Sequence, residues 1–124
     1  DVKKRTKLAL DLMEHRIKSA ERLRASSEYD AMFKELGGFQ AIIDDTLEFL
    51  FISDKDKKKV IFNCKRFEIG LRFFSPRLEL LRREVPPQYQ AYIRELILDV
   101  RDARAKAIEP LFSDSVVPRR PSEN

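Results

Sequence analysis

His15, Cys64 and the adjacent Asp44 and Asp45 are the side chains of this sequence best equipped for bond-making chemistry. His15 has Asp11 and Glu14 within about one helical turn, a grouping that can hold a metal ion or relay a proton. It is the sole histidine, in a densely charged helical run, and a solvated surface residue is the stronger reading. Cys64 is followed by Lys65 and Arg66, and neighbouring cations lower a thiol pKa. With no histidine near it, a core or boundary thiol is preferred. Asp44 and Asp45 point in different directions on a helix and so form no carboxylate dyad. There is no glycine-rich phosphate loop, no HExxH and no Cys/His cluster at metal-binding spacing. The sequence therefore predicts no catalytic residue, no metal, no cofactor and no enzymatic activity.

The densest basic run is Lys55-Asp56-Lys57-Lys58-Lys59. A nucleic-acid site would need more bases on the same face and exposed aromatic rings for stacking. This run is short and interleaved with Asp54 and Asp56, and the phenylalanines occupy apolar ridge positions. A solvated helix start is the preferred reading, and no nucleic-acid partner is expected. The overall charge of +4 arises from 25 bases against 21 acids, a balance suited to a partner surface of mixed charge.

These residues are carried by long helical tracts. Apolar side chains step by three and four through Leu10, Met13, Ile17, Ala20 and Leu23. The rhythm resumes through Tyr29, Met32, Leu36, Phe39, Ile43, Leu47 and Leu50. That is the helical period, and it predicts a first tract from near Val2 to near Ile52. Unbroken, its ridge of roughly forty positions would span about 60 Å. Ser26-Ser27 and Gly37-Gly38 weaken the tract, and each is either held helical by packing or marks a bend. Ser53-Asp54 supplies a stop and an N-cap. The second tract runs from about Lys55 to Glu84 on Ile61, Phe67, Leu71, Phe74, Leu78, Leu81 and Val85. Pro76 predicts a break near Ser75, with Ser75 capping the restarted helix. Val85-Pro86-Pro87 ends that tract. A third follows from Pro87 to Glu109, with Tyr89, Tyr92, Ile93, Leu96, Val100, Ala103 and Ala107 on one side, and Pro110 closes it. Phe49–Ile52 and Val60–Phe62 are alternatively short strands pairing across the intervening turn.

The expected fold is all-α: an antiparallel three-helix bundle of long helices over residues 1–112, followed by a disordered tail over 113–124. If the Pro86-Pro87 junction stays extended, the third helix docks on a neighbouring molecule, giving a homo-oligomer by helix exchange. Hydrophobic residues make up 43% of the chain and charged ones 37%, the composition of helices with one buried stripe. No window is apolar enough to cross a membrane, and no secretory signal is present. The lone cysteine fits a reducing compartment, cytoplasmic or nuclear. The missing initiator methionine suggests a piece of a longer protein.

What remains is surface charge on the second and third tracts: Arg66, Glu68, Arg72, Arg77, Glu79, Arg82 and Arg83, then Arg94, Glu95, Asp99, Arg101, Asp102 and Arg104. Both signs at high density suit orientation-specific docking on another protein.

Lys34-Glu35-Leu36 followed by Gly38-Phe39-Gln40 is similar to a Lys-Glu-Leu, Gly-aliphatic-Gln stretch late in the first helix of some BAG domains. A charged-apolar helix around Asn63-Cys64-Lys65-Arg66 and a basic third helix continue the resemblance, which covers about residues 5–110. The BAG domain is the co-chaperone module that grips the ATPase domain of the seventy-kilodalton heat shock chaperone, in a family linked to apoptosis regulation. The resemblance implies chaperone contacts on helices two and three. The family's third helix carries an arginine and, eight residues on, a glutamine. Arg94 fits the first, and Asp102 stands in place of the second. Its second helix carries a glutamate followed ten residues later by an aspartate. Here Glu68 is followed by Leu78, and Glu79 by Tyr89, and Pro76 is a further departure. The chaperone-facing candidates are thus Glu68, Arg72, Glu79, Arg94, Arg101 and Asp102. The implied function is nucleotide exchange: binding an open ATPase domain releases ADP, admits ATP and frees the client. A ubiquitin-like segment upstream is also implied. The alternative is a helical scaffold or dimerisation module that binds no chaperone.

Overall fold

The computed structural model of the chain describes residues 1–52 and 57–112, and no strand occurs among them. The described residues form five α-helices: α1 (Val2–Ala25), α2 (Tyr29–Ile52), α3 (Lys57–Arg72), α4 (Ser75–Glu84) and α5 (Pro87–Ile108). A 3₁₀ turn at Glu109–Phe112 follows. The alternative strands at Phe49–Ile52 and Val60–Phe62 are the end of α2 and part of α3. The expected stop and cap at Ser53-Asp54, Lys55 and Asp56 of the basic run, and the tail 113–124 lie outside the described residues.

The first tract is not one rod. It reverses at Ser26–Glu28, and α1 and α2 lie side by side. The reversal is a Schellman motif. The Glu28 amide donates to the Leu23 carbonyl at 2.8 Å, and the Ser27 amide to that of Arg24 at 3.0 Å. Ser27 takes φ of +60°, where glycine is usual. Its neighbour secures the turn, since the Ser26 hydroxyl donates to the Glu28 carboxylate at 2.7 Å. At the other end, Asp1 caps α1 by accepting from the Lys3 amide at 2.8 Å. Gly37 and Gly38 stay helical inside α2.

The break expected near Ser75 is present, but its cap differs. Phe74 is the N-cap of α4, no side chain caps it, and Pro76 sits in the first turn. The three rods expected are therefore four: α1, α2, the broken α3–α4 and α5. Around the bundle the neighbours run α1, α2, α5 and α3–α4. Helix α5 folds back onto its own chain.

The ridge positions form a common core. Met13, Ile17, Met32, Leu36, Phe39, Phe67, Leu71, Leu78, Ile93 and Val100 are all fully enclosed. Each such side chain adds about 1.5–3 kcal/mol relative to exposure. The hairpin α1–α2 and the hairpin α3–α5 stack with helix directions preserved. On one seam Arg77 of α4 donates to Glu14 and Glu21 of α1, and Arg24 pairs with Glu84. On the other, Tyr29 stacks on Tyr89 with centroids 4.8 Å apart, and Gln40 donates to Asp99. Hydrogen-bonded side chains across these seams are 56, 63 and 59 positions apart. The second hairpin is thus the first displaced sideways, the relation between successive units of a helical solenoid.

Candidate protein-interaction face

Because α1 and α2 cover one side of the second hairpin, its other side faces outward. Lys65, Ile69, Arg72 and Phe73 lie on that side from α3, and Arg94, Leu98 and Arg101 from α5, all exposed. Phe73 is 71% exposed at the α3–α4 break, while its neighbour Phe74 is 5% exposed and meets Phe39 edge-on at 5.2 Å. Helical phase separates them: Phe74 continues the buried stripe of Phe67 and Leu71, whereas Phe73 follows the exposed Ile69 by one turn. Phe73 falls off the apolar stripe of Phe67, Leu71 and Phe74, and that phase is the sequence signal of its exposure.

The predicted residues divide sharply. Arg94, Arg101 and Asp102 are exposed and form no ion pair among the described residues. Arg72 is half-exposed, with its guanidinium engaged by Glu68. Glu79 is partly exposed and pairs with Arg82 at 3.0 Å. Glu68 is not on the surface. Its side chain is 6% exposed and accepts from Arg72 and from Arg104 of α5, at 2.7 and 3.1 Å. The Arg72 hydrogen bond holds its carboxyl below the usual glutamate range, against the opposing effect of burial. Glu68 clips α3 to α5, and burying it between two arginines removes it from any partner-facing role. Sequence cannot show this, because the second arginine arrives from a helix 36 residues away.

Arg77, grouped by sequence with the surface charges, is likewise an internal clamp. The hydrogen bond to Glu21, joined by that to Glu14, raises its guanidinium pKa further above the usual arginine value, against the opposing effect of burial. Cys64 is fully enclosed, and burial pushes its thiol up to about 11, which suits a core residue and opposes nucleophilic use. His15, Asp44 and Asp45 are exposed on helix faces. No cluster of three or more His, Cys, Asp or Glu side chains suited to a metal ion lies among the described residues. None of their helices is long and apolar enough to cross a membrane.

The face combines unpaired cations with exposed apolar groups. It can bind by burying Phe73, Ile69 and Leu98 while pairing Lys65, Arg94 and Arg101 with carboxylates. No family model matches the chain, and neither a curated protein nor a solved structure is similar to it.

Proposed function

We propose that this chain is a non-enzymatic docking module that presents the outward face of its second hairpin to another protein. The observation that carries the reading is Phe73, 71% exposed on the face that also exposes Lys65, Arg94 and Arg101. An exposed aromatic anchor beside arginines is the composition of a binding hot spot. The resemblance to BAG domains names the first partner to test, the ATPase domain of the seventy-kilodalton heat shock chaperone. Arg72, Arg94 and Arg101, three of the six candidates from that resemblance, are among the exposed residues of this face. Asp102 lies on the adjoining corner of α5.

In this role the module acts by differential binding. It favours an open conformation of the ATPase domain, and linkage requires that it weaken nucleotide binding by the factor by which nucleotide weakens it. Release of labelled ADP from the chaperone tests this: the chain accelerates it, and Phe73→Ala with Arg94→Ala abolishes the acceleration. Absence of any acceleration at saturating chain removes the chaperone as partner.

A further inference from the structure

The outermost corner of α5 carries a pattern that docking on a chaperone does not require. Ala91, Leu98 and Ala105 recur at heptad spacing along it. Arg94 and Arg101 flank this line on one side, and Glu95 and Asp102 on the other. The sides are fixed by neighbours one turn away. Arg104, following Arg101, reaches Glu68 on α3. Tyr92 and Asp99, flanking Glu95, meet Phe33 and Gln40 on α2. All seven corner residues are exposed, and none of the four charged ones has an ion-pair partner among the described residues. The polarity continues outward: Lys65 is exposed on the α3 flank, and Asp30, Asp44 and Glu48 on the α2 flank.

We infer that this corner is a two-fold interface with a second copy of this chain, the two α5 helices running parallel. A two-fold axis along the helices sets the arginine row of one copy against the acidic row of the other on both sides of Leu98. It also sets each basic α3 flank against an acidic α2 flank. An antiparallel pair would oppose like charges, so the pattern selects the parallel one. The contact is a seam along one helix of about 33 Å, short of the ~1,600 Å² of a standard interface. The dimer is accordingly weak, concentration-dependent and sensitive to salt. It occupies Arg94, Arg101 and Asp102, so self-association and docking compete for one surface.

Sedimentation of the chain alone, with no chaperone present, tests the inference independently of the docking reading. The mass rises from 14.6 kDa toward twice that between micromolar and millimolar concentration, and returns in high salt. R94E/R101E and E95K/D102K each stay monomeric, and an equimolar mixture of the two restores the dimer, which also shows that both are folded. A native chain that stays monomeric at millimolar concentration, or variants that associate as it does, overturns the inference. Oxidation reads the direction: Ala91→Cys cross-links to itself, with Cys64 enclosed and out of reach. Cross-linking confined to mixtures of Ala91→Cys with Ala105→Cys overturns the parallel arrangement.

Discussion

The tract from Val2 to Ile52 and the tract from Lys57 to Glu84 are each interrupted once, and only the first interruption reverses the chain. At Ser26–Glu28 two amides return to carbonyls of the turn before, and Ser27 enters the left-handed region. At Phe73–Phe74 the amides donate to Gly70 and Leu71 carbonyls at 3.2 and 3.1 Å, and the chain continues in much the same direction. A reversal with a positive φ lets α2 cover α1. A break without one only rotates the helical face. The exposed groups differ as well: polar Ser26, Ser27 and Glu28 at the reversal, and the Phe73 ring at the break. Interruption of a helix thus makes a hairpin in one region and leaves two nearly collinear helices in the other.

The largest effect that can break this comparison lies in the adjacent phenylalanines. Phe74→Ala removes a ring packed against Phe39 and costs about 3–5 kcal/mol, read from the urea midpoint. Phe73→Ala changes stability by no more than about 0.5 kcal/mol while weakening partner binding. Equal stability losses would mean that both rings belong to the core.

Glu68→Gln comes next and tests the clip between α3 and α5. It lowers stability by about 1–2 kcal/mol at pH 7. Because the folded carboxyl titrates below its unfolded value of about 4.3, this contribution is present above that pH and lost as pH falls through the folded value. The gap between native and variant therefore closes in acid, as denaturation at a series of pH values would show. A gap independent of pH would mean that packing, not ionisation, holds the clip.

The smallest effects concern backbone conformation. Ser27→Gly relieves the left-handed residue and raises stability by about 1 kcal/mol. Gly37→Ala gains about 0.5–1 kcal/mol, since a Cβ there meets nothing within 4 Å. Gly70→Ala should do the reverse, because its Cβ would lie 2.6 Å from a Leu10 methyl. Thermal unfolding separates the three, and a destabilising Gly37→Ala would contradict the helical packing of α2.

The core was legible because burial follows the helical period: Met13, Ile17, Met32, Leu36, Phe39 and Ile43 all appear in the ridge and are all enclosed. The reversal within that ridge was only half-legible: the apolar step skips from Leu23 to Tyr29 across Ser26-Ser27, which suits a bend or a packed helix alike, and no glycine or proline decides between them. Pro76 and Pro86-Pro87 announced their interruptions through local sterics, which need no tertiary partner. The site was half-legible. Arg94, Arg101 and Asp102 lie exposed, as a charged helix face implies. Glu68 looked identical in sequence, and only Arg104, arriving from another helix, makes it internal. Phe73 was legible by phase, since it falls off the stripe of Phe67, Leu71 and Phe74, but apolarity alone does not mark a binding group.

The central claim, that the outward face of the second hairpin docks on the heat shock chaperone's ATPase domain, is tested most directly by ADP release from that domain. At dilute concentrations of the chain, native protein should accelerate release, and Phe73→Ala with Arg94→Ala should remove that acceleration while folding normally. Release unchanged by native chain, or accelerated equally by the variant, would contradict it.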